Sequence, residues 1–164
     1  MKSKPLEISI VGAGIGGLVA ALALKKRGHK PTIYEKTESL SELGAGIQLS
    51  PNANKVLEYL GVMEELQSDV YEPEAFQFVH YRTGTVLAQQ ALKNSSVKIY
   101  GSPNYDVHRA DLQKALLKII NKEEIQIEKN SEILDLYEDA NGAFIKTKER
   151  VTLYFFLQCG LSLD

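Results

Sequence analysis

The sequence is poor in the residue types that build disulfides, metal sites and nucleic-acid interfaces. Its 164 residues include one cysteine, Cys159, which excludes an internal disulfide and a cysteine-rich metal site. The histidines, His29, His80 and His108, are scattered without HExxH or another paired-ligand spacing, so no metal site is predicted. The formal net charge of −2 gives no electrostatic reason to expect nucleic acid as a partner. A lone cysteine fits a reducing compartment, so we expect a cytoplasmic protein.

Long hydrophobic runs are also scarce, and one stretch near the N-terminus is ambiguous. MKSKP followed by LEISIVGAGIGGLVAALAL resembles the basic and apolar regions of a signal peptide. Glu7, the four glycines between positions 12 and 17, and the lack of a clear cleavage site argue against that interpretation. We therefore expect no membrane span.

The glycines of this stretch form a G-x-G-x-x-G pattern at Gly12, Gly14 and Gly17. Glycine is costly inside regular structure, so this density indicates a specific need. LEISIVG before it is typical of a strand buried on both faces, GLVAALALKKRG after it of a helix, and KPTIYEK of a second strand. A βαβ unit of this kind binds a dinucleotide pyrophosphate at the helix N-terminus. The predicted segment also contains Ala13, Ile15 and Gly16.

An acidic residue stands at the end of the second predicted strand. Glu35 follows Gly17 by 18 residues, where a carboxylate can accept both hydroxyls of an adenosine ribose and would repel a 2′-phosphate. The alternative is a plain surface acid. The glycines and Glu35 together predict a dinucleotide site but do not distinguish NAD from FAD.

The rest of the chain alternates helices with antiparallel strands. Residues 51–61 predict a helix with an apolar face of Ala53, Val56, Leu57 and Leu60, and residues 109–120 predict another. Hairpins are predicted at EAFQFVHYRTGTVLAQQ and at EILDLYEDANGAFIKTKE, the second turning at Asn141-Gly142. We predict an α/β fold: a Rossmann-like FAD/NAD(P)-binding domain with a parallel sheet and an antiparallel β appendage, in one domain over residues 1–164.

Two later stretches, GAGIQLSPNA at residues 44–53 and VHRADLQKALL at residues 107–117, follow the glycine motif in order. With these three motifs the sequence resembles the flavin-dependent aromatic hydroxylases, including salicylate-hydroxylase-like and zeaxanthin-epoxidase-like monooxygenases. The resemblance runs from about Ile8 to about Lys148. It implies FAD as cofactor, NADH or NADPH as electron donor, and hydroxylation or epoxidation of a small aromatic or olefinic substrate by O2. In such enzymes the cofactor carries the chemistry, and no catalytic side chain is assigned.

The resemblance also implies roles for individual residues. The glycine loop would hold the FAD pyrophosphate, with Glu35 at the adenosine ribose and Lys36 flanking the adenosine half. Arg109 would reach the FAD phosphates and the ribityl chain, and Gln113, one helical turn on, would assist. A stretch of small residues would pass the side of the flavin: Ala45, Gly46 and Ile47.

The residues themselves give partial support to these roles. The planar guanidinium of Arg109 can make forked hydrogen bonds to phosphate, and the chain has only four arginines against fifteen lysines. A cation at a helix start opposes the helix dipole, which favours a local anion, although a plain surface arginine is the alternative. By local physics alone, residues 44–53 would be an ordinary loop leading into a helix, with Ser50 or Asn52 as the cap.

The last residues, 150–164, do not fit the family pattern. RVTLYFFLQCGLSLD stands where a strand ending in a GADG-type motif is expected. We expect a truncated N-terminal domain, either because its tail is out of frame or because the gene is truncated in another way. We expect TLYFFLQC to be either a substitute strand or an aggregation-prone tail. An exposed sheet edge would then invite pairing with another chain.

Two alternatives to an active monooxygenase stay open. The first is a non-catalytic dinucleotide-binding fragment without independent activity. The second is an NAD-dependent Rossmann enzyme, which is disfavoured because GAGIQLSPNA would then have no purpose.

Overall fold

The computed structural model describes residues 4–40, 45–139, 142–148 and 151–158. The chain divides into two compact units, one of Met1–Glu42 with Gln113–Asp164 and one of Leu43–Leu112. Within the described ranges the elements, in chain order, are β1 (Glu7–Val11), α1 (Ile15–Lys26), β2 (Lys30–Tyr34), β3 (Gly46–Leu49), α2 (Pro51–Leu60), α3 (Met63–Leu66), β4 (Val70–Tyr71), β5 (Ala75–Val79), β6 (Val86–Ala91), α4 (Ser95–Tyr100), β7 (Tyr105–His108), α5 (Arg109–Lys122), β8 (Gln126–Glu128), β9 (Ile133–Asp139), β10 (Gly142–Thr147) and β11 (Val151–Gln158).

The first unit is built on a six-stranded mixed sheet in the order β8-β2-β1-β11-β10-β9. Strands β8, β2, β1 and β11 pair in parallel, whereas β9, β10 and β11 pair antiparallel. The predicted α/β fold with a parallel sheet and an antiparallel extension is confirmed. The antiparallel part continues the parallel sheet through β11.

The hydrophobic core of this unit explains why β1 and α1 form where the sequence predicts them. Ile10 of β1 and Leu18 of α1 have no exposed surface, and Ile33 of β2 is equally buried. Full burial of one such side chain contributes about 1.5–3 kcal/mol, enough to hold an amphipathic or apolar segment in place. The apolar face predicted for residues 109–120 is also buried: Leu116, Ile119 and Ile120 belong to this unit, and Leu112 is the last residue of the other.

The second unit contains a three-stranded antiparallel sheet, β3-β7-β4, and the two-stranded hairpin β5-β6. Residues 46–49, expected from local physics to be loop, form strand β3 because they pair with β7. The expected cap position is confirmed at Ser50, but the capping hydrogen bond is not formed. Ser50 occupies the N-cap position of α2 without a side-chain bond to the helix backbone, and its Oγ donates to Asn52 Oδ1 at 2.6 Å. Gly44 lies outside the described residues.

The buried face of α2 differs from the predicted one. Val56, predicted on the apolar face, is 45% exposed, whereas Asn54 is fully buried with Leu57 and Leu60. The Asn54 amide donates to the carbonyls of Leu49 at 3.2 Å and Pro103 at 2.8 Å. These two hydrogen bonds stabilise the polar side chain of Asn54 on the buried face of α2. Hydrophobic periodicity cannot predict a buried polar residue of this kind.

The C-terminal strands form as a hairpin followed by a third strand. The predicted hairpin is present as β9 and β10, and Asn141 of its predicted turn lies outside the described residues. Strand β11 covers residues 151–158 and lies between β1 and β10, in agreement with the substitute-strand interpretation of the tail. Residues 159–164, with Cys159, lie outside the described residues, and the out-of-frame tail stays a prediction.

Candidate functional site

The glycine loop connects the end of β1 to the start of α1 in the first unit. Gly12 has a φ of 96°, a left-handed conformation that favours glycine, and its N–H donates to the Tyr34 carbonyl at 2.8 Å. Helix α1 then begins at Ile15. The first glycine therefore makes the tight turn from strand to helix, as the motif predicts.

Gly17 and Gly14 differ in what surrounds them. A Cβ on Gly17 would lie 2.0 Å from the Gly12 carbonyl oxygen, so only glycine lets α1 pack against the loop. A Cβ on Gly14 would have nothing within 4 Å, and its φ of −69° and ψ of 174° suit any residue. The protein itself gives no reason for glycine at position 14, whereas a ligand lying against the backbone would.

The N-terminus of α1 has the properties of an anion site. Gly14 is the N-cap residue, no side chain caps the helix, and its first turn contains no acidic residue. The first N–H groups of a helix lack intrahelical partners and carry the positive end of the helix dipole. Backbone groups in this arrangement bind phosphate oxygens.

Glu35 follows β2 and connects it to the glycine loop. Its Oε2 accepts a hydrogen bond from the Ala13 N–H at 2.8 Å, and its Oε1 accepts from the Thr37 N–H at 2.9 Å and the Thr37 hydroxyl at 3.0 Å. Partial burial raises the pKa of Glu35, but the bonds from Ala13 and Thr37 outweigh it and hold the pKa below its ordinary value of 4.5. No sequence pattern marks the contact between this carboxylate and Ala13, so only the structure reveals that Glu35 holds the glycine loop.

We expect Glu35→Gln to destabilise the protein in a pH-dependent way. A glutamine places an NH2 group against one of the three donors, and loss of a charge-assisted bond costs about 1.5–3 kcal/mol. Because the folded-state pKa is lowered, the stabilisation by Glu35 is present above the unfolded-state pKa and is lost as pH falls through the folded-state value. Urea unfolding at about pH 7 and about pH 3 measures the difference, which should shrink at acid pH.

The exposed Glu38→Gln removes the same charge three residues later and serves as the control. It should leave the free energy of unfolding within about 0.5 kcal/mol of wild type at both pH values. Equal losses in the two variants would contradict the role assigned to Glu35.

The other predicted residues lie on β3, at the start of α5 and after β2. Ala45 precedes β3, and its carbonyl accepts a hydrogen bond from the Arg109 N–H at 3.0 Å. Arg109 is half-buried as the first residue of α5, and Gln113 is buried one turn on. Lys36 is exposed.

The structure groups the predicted residues in two sets. The first unit holds the glycine loop next to Glu35 and Lys36. The second unit holds residues 45–47 beside Arg109, because β3 pairs with β7, which leads directly into α5. Gln113 is the first residue of the other unit along the same helix.

Comparison with known proteins identifies the family. Residues 6–152 match the family model described as "FAD binding domain". The chain belongs to this family. A 6-hydroxynicotinate 3-monooxygenase from Pseudomonas fluorescens is 38% identical over 118 residues, which are 72% of this chain and 31% of that protein. The FAD-dependent monooxygenase OpS4 of Beauveria bassiana (strain ARSEF 2860) is 31% identical over 150 residues, or 90% of this chain and 35% of that protein.

The fold of this chain is also found in a solved structure. A variant of Klebsiella pneumoniae HpxO complexed with FAD matches with a TM-score of 0.78 and 25% identity, over 93% of this chain and 38% of that chain. The predicted resemblance to FAD-dependent aromatic monooxygenases is thereby confirmed. The chain spans about a third of the length of the curated relatives named above.

No helix in the part of the chain that the structure describes is long and apolar enough to cross a membrane. No group of three or more His, Cys, Asp or Glu side chains in those same ranges could hold a metal ion.

Proposed function

We propose that the chain binds FAD, with the pyrophosphate at the glycine loop and the adenosine ribose near Glu35 and Lys36. The observation that carries this proposal is the uncapped N-terminus of α1, which has no acidic residue in its first turn and follows the loop that Glu35 holds through Ala13. Its unpaired N–H groups and the positive end of the helix dipole favour the binding of a phosphate group. The family match over residues 6–152 supports FAD over NAD as the dinucleotide.

Arg109 and Gln113 complete the proposed cofactor site, together with Ala45, Gly46 and Ile47. Arg109 is half-buried at the start of α5, and its planar guanidinium can make forked hydrogen bonds to phosphate oxygens, which supports a phosphate contact. A Cβ on Gly46 would also meet nothing within 4 Å, as expected where a flat ring passes close to a strand.

The proposed reaction transfers one oxygen atom of O2 to a small aromatic or olefinic molecule, while two electrons from NADH or NADPH and two protons reduce the other oxygen atom to water. When bound, FAD supplies the redox chemistry. The residues of this chain bind and orient the cofactor. The aromatic substrate class is supported by relatives such as 6-hydroxynicotinate 3-monooxygenase. A cytoplasmic location stays a prediction from the single cysteine.

Dinucleotide binding without turnover is the second candidate. Pairing with another chain through a sheet edge belongs to this candidate. The edge strands of the large sheet are β8 and β9, and Leu134 and Tyr137 of β9 are 51% and 44% exposed.

Flavin retention tests FAD binding. Purified protein is mixed with excess FAD and desalted, and bound flavin is read from its visible absorbance. Arg109→Ala should weaken FAD binding by about ten- to a hundredfold, because a charge-assisted bond to phosphate contributes about 1.5–3 kcal/mol. Arg82→Ala is the matched control, since Arg82 is exposed and lies 5.2 Å above the Tyr81 ring, outside the proposed site.

Retention by wild type and Arg82→Ala but not by Arg109→Ala supports the proposed site. Equal flavin retention by the wild type and both variants would show that Arg109 is not part of the proposed site. The absence of flavin from all three proteins would contradict FAD binding. NADH or NADPH oxidation by the flavin-loaded protein then separates the two candidates, since the second predicts none.

A further inference from the structure

The second unit contains a cleft that the cofactor site does not use, which we call the Asp106 cleft. Its volume is about 370 Å³, in the range of small-molecule pockets and suited to a single-ring compound. The residues that matter for its chemistry are Gln48, Phe76, Gln90, Leu92, Tyr105 and Asp106.

Strands of two sheets, β3-β7-β4 and the hairpin β5-β6, line the cleft. Gln48 of β3 and Asp106 of β7 are directly opposite in the antiparallel ladder, so their side chains share one face. Phe76 of β5 and Gln90 of β6 are opposite in the same way on the hairpin. The cleft therefore presents a carboxylate and an amide from one wall, and an aromatic ring and an amide from the other.

One atom of the cleft lacks a partner. Asp106 Oδ1 is buried and accepts no hydrogen bond in the part of the chain that the structure describes. An unsatisfied buried acceptor costs about 1–3 kcal/mol, and more when it is charged. A ligand recovers this cost if the Asp106 carboxylate turns so that Oδ1 accepts its N–H or O–H group, whereas a ligand without a donor leaves it.

The charge around the cleft has one sign. None of its described lining residues is basic. Asp106 is the charged residue among them. A carboxylate ligand would meet repulsion here, whereas a neutral donor or a cation would not.

Strand β3 lines the Asp106 cleft and also carries residues of the proposed cofactor site. Residues 46 and 47 of β3 are proposed to pass the flavin, and Gln48 is the next residue of that strand. We propose that the Asp106 cleft binds a ring-sized molecule through a hydroxyl or amino donor to Asp106, and discriminates against carboxylates. Its role as a substrate site rests on the proposed function; its ligand preference does not.

Binding without FAD tests the preference. Three single-ring probes differ mainly in charge: tyramine is cationic, resorcinol is neutral and 3-hydroxybenzoate is anionic. Each is titrated into isotopically labelled protein, and two-dimensional amide spectra follow the side-chain NH2 signals of Gln48 and Gln90. Tyramine and resorcinol should bind at least about fivefold more tightly than 3-hydroxybenzoate, because one unfavourable charge contact costs about 1 kcal/mol.

Asp106→Asn removes the charge and keeps the shape. It should bring the affinities for tyramine and 3-hydroxybenzoate to within about twofold of each other. Asp69→Asn changes the net charge equally at an exposed position of the same unit, outside the cleft, and should keep the wild-type preference.

Three results would overturn the proposal: tighter binding of 3-hydroxybenzoate by wild type, equal binding of all three probes, or an unchanged preference in Asp106→Asn. The wild-type titrations decide the matter by themselves if the variant does not fold. Flavin retention is measured separately, so failure of the cleft proposal and failure of FAD binding give different results.

Discussion

Gly17→Ala should lower the free energy of unfolding by about 3 kcal/mol or more, the largest stability effect we expect from a single methyl group. The added Cβ would stand 2.0 Å from the Gly12 carbonyl oxygen and 3.2 Å from its carbon. Neither atom can move without shifting the turn between β1 and α1, and Ile10 Cγ2 closes the third side at 3.4 Å. The helix must therefore move away from the strand, which breaks the core around Leu18.

Urea unfolding followed by far-UV circular dichroism measures this loss, since the sequence has no tryptophan to serve as a fluorescent probe. Gly14→Ala is the matched control, with the same added methyl group three residues earlier and nothing within 4 Å of it. It should change stability by less than about 1 kcal/mol. Equal effects at the two positions would show that the close approach at Gly17 is not what the third glycine serves.

Gly14→Val should abolish flavin retention, and Gly14→Ala should weaken FAD binding by at least about tenfold, or about 1.4 kcal/mol. The side chain would fill the space where the proposed pyrophosphate approaches the N-terminus of α1. Stability and binding thus separate at this position: the alanine variant should fold like wild type and still lose the ligand. Visible absorbance after desalting gives the flavin content, and urea unfolding of the same sample confirms the fold.

Wild-type flavin retention in a well-folded Gly14→Ala would mean that FAD does not approach this loop. Flavin retained by wild type and lost only from Gly17→Ala would instead reflect unfolding. The pair of glycines therefore distinguishes a ligand requirement from a packing requirement within one motif.

Much of the first unit could be predicted because its signals are local. The apolar run of β1, the glycine turn, helix α1 and strand β2 follow one another within 40 residues, and each is encoded in adjacent positions. The predicted helix at residues 109–120 is confirmed for the same reason, since its buried face is read from spacing alone.

Elements that depend on distant partners were predicted less well. Strand β3 has no strong strand signal of its own and exists through its pairing with β7, about 60 residues later. Asn54 is buried in place of Val56 because the Leu49 and Pro103 carbonyls need its amide donors. The sequence of α2 alone does not predict that the Leu49 and Pro103 carbonyls lie within hydrogen-bond distance of Asn54.

The sequence by itself determined the family, the glycine turn and the acid at the end of β2, because each rests on residue types at short, fixed spacing. Only the tertiary structure decided that Glu35 holds Ala13, that Gly17 rather than Gly14 is demanded by packing, and that Asp106 has a buried oxygen without a donor. These are distances between atoms that folding brings together. The sequence determines which side chains and backbone groups are present at each spacing, and tertiary packing determines which of them come into contact.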